Sequence, residues 1–128
     1  MSGIGNTWLL VAIAGAAGTL FRYGLGGWLA RATGGTFPWE TLAINTFGSL
    51  AIGVLAGLVD RGALLPPPIR MALMVGFLGG FTTFSTFALE TMRLAEGAQW
   101  SAAAAYIALT NVAGLAAAWV GLRAAGIG

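Results

Sequence analysis

A run of glycines, hydroxyls and aromatic rings between Gly76 and Phe87 carries the residues best suited to chemistry in this chain. Four hydroxyl residues lie within five positions of one another, at Thr82, Thr83, Ser85 and Thr86. On a helix, Thr83, Thr86 and Glu90 would share one stripe, and Phe84 and Phe87 would share the stripe beside it. The pattern therefore predicts an aromatic surface next to a surface of hydroxyls and one carboxylate.

Such a pair of surfaces suits a small anion that is held weakly. A phenylalanine ring has a positive edge, so Phe84 and Phe87 can contact an anion edgewise without burying a full positive charge. Hydroxyls and the amide of Asn45 would supply donors around the rings, and conduction requires binding that is loose enough to release. Two phenylalanines three residues apart are also common in packed cores, which leaves a packing role open.

Polar and small residues recur on one face of the other apolar stretches. These faces are Gly15, Thr19, Arg22 and Gly26; Thr41, Asn45, Gly48 and Ser49; and Tyr106, Thr110 and Gly114. Polar groups at membrane depth are costly and usually face a bundle interior or a water-filled path. Hydrogen bonding between helices is the alternative role for Asn45 and Thr110, and interfacial positions are the alternative for Arg22 and Glu90.

Gly79 and Gly80 lie in the middle of the third apolar stretch and favour a break in its helix. Backbone groups that a break releases inside a membrane must be satisfied by protein, water or an ion. Free carbonyls at this position would suit a cation.

The composition excludes a soluble fold and most enzyme classes. Of 128 residues, 58% are hydrophobic and only 8% are charged, whereas soluble domains average about 25% charged residues. The absence of Cys and His removes thiolate nucleophiles, zinc-thiolate sites and imidazole bases. The six arginines are scattered, so no basic stripe for nucleic acid is present.

Four apolar stretches are long enough to cross a membrane, which requires about 20 residues each. They run from about 8 to 29, 41 to 59, 69 to 92 and 97 to 122, and short links rich in glycine and proline join them. The sequence therefore predicts an all-α, multi-pass membrane protein whose residues 1–128 form one four-helix domain.

Charge counting gives no clear orientation in the membrane. One side has Arg61, Arg70 and Arg123, and the other has Arg31 and Arg93, with Arg22 as a possible third. A chain with so little bias can insert both ways, and opposed copies can then pair. We therefore predict an antiparallel homodimer, while a fixed topology is equally compatible with the count.

With these residues laid out, the chain resembles the bacterial fluoride channels of the Fluc or CrcB family over essentially its whole length. The resemblance rests on Gly18-Thr-Leu-Phe-Arg22, on Asn45 with Gly48, and above all on Gly79-Gly-Phe-Thr-Thr-Phe-Ser-Thr-Phe87. The last motif is long and unusual in composition, which makes it specific.

The resemblance implies a passive exporter of fluoride in the bacterial inner membrane, built as a dual-topology antiparallel dimer with two fluoride pathways. It places eight residues along the pathway: Phe84, Phe87, Asn45, Thr41, Thr86, Glu90, Thr110 and Arg22. It also implies a structural Na⁺ at the dimer axis, held by the backbone carbonyls of Gly79 and Thr82. The expected partners are fluoride, membrane lipid and a second copy of the chain, with no nucleic acid.

Two positions depart from the family pattern. Gly114 lacks a hydroxyl that some members have one turn after the position of Thr110, so this sequence lacks part of that polar track. Phe81 is bulkier than the expected Leu, which should affect packing more than chemistry.

Two other classes of membrane protein fit the sequence less well than a channel. A small proton-coupled drug exporter commonly uses a buried acid in its first span, whereas this first span has Arg22 and no acid. A purely structural subunit would leave Asn45, the glycine pair and Glu90 without a shared explanation.

Overall fold

The computed structural model describes residues 2–126, and all the regular structure in this range is helical. The first and second spans are α1 (Ser2–Thr33) and α2 (Trp39–Asp60). The third span consists of α3 (Pro67–Met71), a π-helical segment (Ala72–Phe77), α4 (Leu78–Phe81) and α5 (Phe84–Glu96). The fourth span is α6 (Trp100–Gly126). Four helical stretches of the described chain are long and apolar enough to cross a membrane.

The links begin and end where the sequence contains residues that stop helices. Gly34 and Gly35 follow α1 with positive φ angles of 63° and 74°, and a proline precedes both α2 and α3. The first three spans extend past their expected ends on both sides, whereas the fourth begins three residues late, at Trp100. The delay has a local cause, because Ala98 adopts a positive φ of 60° in the turn before α6.

The second and fourth spans run parallel and pack with their backbones in close contact. A Cβ added to Gly53 would meet the backbone of Ala118, and one added to Gly57 would meet the backbone of Leu122. Gly121 faces the backbone of α2 in the same way. Small residues permit such an approach between membrane helices, and Gly53 and Gly57 form a GxxxG pair of this kind.

The first and third spans form a second parallel pair. Gly18 lies against the backbone of Phe77, Gly76 against Val11, and Gly80 against Gly15. These contacts fix the glycine-rich part of the third span onto α1.

The chain by itself buries few side chains. One cluster contains Ile44, Leu78 and Phe81, and a second contains Phe87, Leu94, Ala103 and Tyr106. Phe81 is only 5% exposed and its ring lies 5.4 Å from that of Phe21, in agreement with its expected effect on packing. Large apolar side chains instead cover the outside, as a lipid environment requires.

The third span changes backbone conformation after the glycine pair rather than at it. Gly79 and Gly80 both lie within α4. Thr82 and Thr83 then have extended backbone, with φ and ψ of −88° and 159° and of −152° and 116°. Helical hydrogen bonding resumes at Phe84.

Candidate functional site

Asn45 on α2 binds the backbone of Thr83 through both ends of its amide. Its Nδ2 donates to the Thr83 carbonyl at 3.0 Å, and its Oδ1 accepts from the Thr83 N–H at 2.8 Å. An extended residue leaves these two groups without helical partners, and unpaired backbone in a membrane is costly. The amide has two N–H groups, so one remains for another partner. Asn45 thus supports the third span besides lining the cavity described below.

The side chain of Thr83 starts the helix that follows. Its Oγ1 accepts from the N–H of Thr86 at 3.2 Å and donates to the Thr86 hydroxyl at 3.0 Å. This is an N-cap, the arrangement that satisfies an N–H in the first turn of a helix. The cap fixes where α5 begins, and the first turn of this helix carries Phe84 and Phe87.

These contacts remove the usual partners of two carbonyls. In a continuous helix the carbonyls of Gly79 and Thr82 would accept from the N–H groups of Thr83 and Thr86. Those N–H groups bond to Asn45 Oδ1 and to Thr83 Oγ1 instead. The carbonyls of Gly79 and Thr82 have therefore lost these helical partners, and those of Gly80 and Phe81 lose theirs as well, because Phe84 and Ser85 start a new helix.

Arg22 on α1 occupies another carbonyl of the same segment. Its Nε donates to the carbonyl of Gly80 at 2.9 Å in a partly buried position. The guanidinium therefore ties the first span to α4, and it does not simply extend to the membrane surface.

The two expected ring residues have different environments. The Phe84 and Phe87 ring centroids are 5.6 Å apart, with planes inclined at 59°. Phe87 is 8% exposed and packs edge to face with Tyr106 at 5.0 Å, whereas Phe84 is 78% exposed. Packing thus fixes the ring of Phe87, whereas the ring of Phe84 is exposed at the surface of this single chain.

Glu90 accepts hydrogen bonds from two hydroxyls on other helices. Thr41 Oγ1 donates to Glu90 Oε1 at 2.7 Å, and Tyr106 Oη donates to the same oxygen at 3.4 Å. Thr41 is 5% exposed and Tyr106 is fully buried, so this cluster joins α2, α5 and α6 inside the bundle.

Two neighbouring cavities contain all ten predicted site residues. The ring cavity, of about 390 Å³, is lined by residues that include Asn45, Gly79, Thr82, Thr83, Phe84, Phe87 and Thr110. The Glu90 cavity, of about 310 Å³, is lined by residues that include Arg22, Thr41, Thr83, Thr86 and Glu90. Thr83 lines both cavities, so the cavity at the rings adjoins the cavity at the carboxylate.

Thr110 contributes a free hydroxyl to the ring cavity. Its Oγ1 is buried and has no hydrogen-bond partner among the described residues. Gly114, one turn later, also lines this cavity, and a Cβ there would meet Ser49 Oγ at 3.5 Å. A buried hydroxyl without a partner is costly, so Thr110 is a ready donor for a ligand in the cavity.

Sequence reasoning left Tyr106 and Thr83 out of the expected pathway. Tyr106 shares a helix face with Thr110, and its complete burial beside Glu90 shows its place in the site. Thr83 shares a stripe with Thr86 and Glu90, but its capping role depends on where the helix stops. The sequence feature that could have identified both residues is their position on the same helix faces as the predicted pathway residues Thr110, Thr86 and Glu90.

Comparison with known proteins identifies the family. The profile of the family described as "CrcB-like protein, Camphor Resistance (CrcB)" matches residues 9–122. The chain belongs to the CrcB family. It is 45% identical over 114 residues to the "Fluoride-specific ion channel FluC" of Nitratidesulfovibrio vulgaris, a match that covers 89% of this chain and 92% of the relative.

Other CrcB relatives give the same result. The proteins named "Fluoride-specific ion channel FluC" from Sorangium cellulosum and Pseudomonas syringae pv. tomato are 44% and 47% identical to the chain. These matches cover 90% and 91% of this chain, and 91% and 94% of the relatives. With four membrane-length helices and bacterial relatives, the chain is a multi-pass membrane protein.

Proposed function

We propose that this CrcB protein is a fluoride-selective channel that lets fluoride leave the cell passively through the bacterial inner membrane. The observation that carries the proposal is a pair of adjoining cavities that share Thr83, one lined by Phe84 and Phe87 and the other by Glu90. The names of the relatives identify the ion as fluoride. The protein acts in transport and is not an enzyme.

The ring cavity supplies weak contacts that replace the hydration shell of the fluoride ion. Phe84 and Phe87 offer ring edges, the second N–H of Asn45 is a donor, and the Thr110 hydroxyl has no partner among the described residues. None of these groups carries a full positive charge, so the ion is not trapped. An inward-negative potential drives an anion outward by about 2.3 kcal/mol per 100 mV, and no other energy source is needed.

The Glu90 cavity continues this route with hydroxyl donors. Hydroxyl hydrogens rotate, so the Thr41 hydroxyl, which lines this cavity, can turn from Glu90 towards a passing anion and then return. Thr86 also lines this cavity and carries a hydroxyl. The carboxylate then serves as the resting acceptor for the donors and not as a fluoride ligand.

An antiparallel homodimer completes the route. The ring cavity is polar yet opens on the surface of the single chain, where Phe84 and Asn111 are exposed. Lipid cannot satisfy polar groups, whereas a second copy can. The balanced arginine count supports insertion of the two copies in opposite orientations.

A structural Na⁺ at the dimer axis fits the residues of the interrupted segment. The carbonyls of Gly79 and Thr82 have lost their helical partners, and carbonyl oxygens suit a hard monovalent cation. No three His, Cys, Asp or Glu side chains come together within residues 2–126, so carbonyls are the natural ligands. When bound, the ion supplies positive charge near the route. We expect a lower unfolding temperature when N-methylglucamine replaces sodium, and an equal temperature would count against this site.

Ion efflux from liposomes that contain the purified protein tests the function. A fluoride electrode should record rapid fluoride release, and a chloride electrode should record little chloride release under the same gradient. Absence of release of either ion from protein shown to be a folded dimer would refute the channel. Equal release of both ions would refute the selectivity.

A further inference from the structure

A third cavity continues from the far side of the Glu90 cavity. This loop cavity, of about 250 Å³, is lined by Thr36, Pro38, Glu90, Arg93, Leu94 and Gln99. Glu90 lines both the loop cavity and the Glu90 cavity. The three cavities therefore adjoin one another through Thr83 and Glu90, from the rings to the links at the end of the bundle.

Two links form the outer wall of the loop cavity. Thr36 lies in the link before α2 and Gln99 in the link before α6, and Thr36 Oγ1 donates to Gln99 Oε1 at 3.1 Å. This contact is exposed and joins residues far apart in the sequence. The loop cavity thus extends from Glu90 inside the bundle to two links that face water. A cavity with this placement can serve as an opening to the solution.

Arg93 is the only basic residue among those that line the loop cavity. Its guanidinium forms an ion pair with Glu96 at 3.3 Å, and both side chains are largely exposed, at 72% and 65%. An exposed pair of this kind contributes little stability, so Arg93 is free to turn towards another anion. Positive charge at the mouth of a narrow path raises the local concentration of anions.

We propose that the loop cavity is a mouth of the fluoride route and that Arg93 attracts fluoride to it. Glu96 opposes this action, because it pairs with Arg93 and adds negative charge at the opening. The inference rests on the proposed fluoride channel, and it assigns one entrance of that channel and the residue that sets the anion concentration there.

The ionic strength of the solution separates electrostatic attraction from packing. The screening length is about 30 Å at 0.01 M salt and about 3 Å at 1 M, so a charge at the mouth acts mainly in dilute solution. We expect Arg93→Gln to lower fluoride efflux by about threefold at 0.01 M and to have little effect at 1 M. Arg93→Lys should behave like the unaltered protein, and Glu96→Gln should raise the efflux at 0.01 M.

Arg61→Gln is the matched control, because it removes an exposed arginine at the opposite end of the bundle and lines none of the three cavities. It should leave fluoride efflux unchanged at both salt concentrations. Efflux by Arg93→Gln that is unchanged at low salt, or reduced equally at both concentrations, would overturn the assignment of the mouth. If the unaltered protein releases no fluoride, the proposed function itself fails, and the inference fails with it.

Discussion

At the scale of single residues, Asn45 combines structural support with a place on the route. Its amide pairs with both backbone groups of Thr83 while the side chain lines the ring cavity. The residue is therefore sensitive to changes that keep its size but alter its donors. Glu90 and Thr110 are simpler, since Glu90 offers only a carboxylate to the Glu90 cavity and Thr110 only a hydroxyl to the ring cavity.

Replacing Asn45 with Asp should abolish fluoride efflux and leave the dimer intact. A carboxylate still accepts from the Thr83 N–H, but it cannot donate to the Thr83 carbonyl, and it adds a negative charge beside an anion path. Liposome efflux and gel filtration measure the two effects. Asn6→Asp makes the same chemical change at an exposed position near the start of α1 and should conduct normally.

Replacing Phe84 with Ile should also abolish efflux without loss of stability. The ring is 78% exposed in the single chain, so the change removes little packing, but an aliphatic side chain has no positive edge to offer an anion. Phe47→Ile is the control, because that ring is also exposed, at 60%, and lines none of the three cavities. Normal efflux by both the Phe84 and the Asn45 variants would show that the site is wrongly assigned even if the function is right.

At the scale of elements, the third span positions the site because its helix stops and restarts within the bundle. Asn45, Arg22 and Thr83 together take the hydrogen bonds that a continuous helix would have made. The pairing of α2 with α6 holds Asn45 and Thr110 on facing walls of the ring cavity. Close backbone contact between spans is therefore as important to the site as its polar groups.

Replacing Gly53 with Ala should destabilise the protein by about 1–3 kcal/mol, the usual cost of overpacking. The new Cβ would collide with the backbone of Ala118, which cannot move without displacing α6. Gly24→Ala is the matched control, because no atom lies within 4 Å of a Cβ placed there. The measurement is the midpoint temperature of thermal unfolding of each variant in detergent. Equal midpoints for Gly53→Ala and Gly24→Ala would refute the close contact between α2 and α6.

The spans were predictable from composition, but the conformation of the third span was not. Long apolar runs and link residues define helices without any tertiary information. The glycine pair correctly indicates the part of the third span that changes conformation, but the extended residues are Thr82 and Thr83. The reason is that Asn45, from a distant part of the chain, binds the backbone of Thr83. Likewise, the contact of Tyr106 with Glu90 joins two spans that only folding brings together. The cap by Thr83 is local, but it forms only because the helix stops before this residue.

At the scale of the whole molecule, the arginines are distributed almost evenly between the two ends of the bundle. Arg61, Arg70 and Arg123 lie at one end, and Arg31 and Arg93 lie at the other. Large apolar side chains cover the outer surface, and the ring cavity opens onto that surface. A single chain in lipid is therefore an incomplete unit of the proposed channel.

Single cysteines would test the proposed dual topology, since the natural chain has none. Ala63→Cys and Thr33→Cys place a thiol at opposite ends of the bundle, in exposed positions. In intact spheroplasts, a membrane-impermeant maleimide should label about half of each variant if the copies insert equally in both directions. Complete labelling of one variant and none of the other would establish a fixed topology.

The parallel pairing of spans also affects how the protein is made. The partner of α2 is α6, and the entire third span lies between them in the chain. During synthesis, the glycine face of α2 therefore stays uncovered in the membrane until α6 has been made and inserted. The ring cavity needs residues from both helices, so it is completed only when α6 packs on α2.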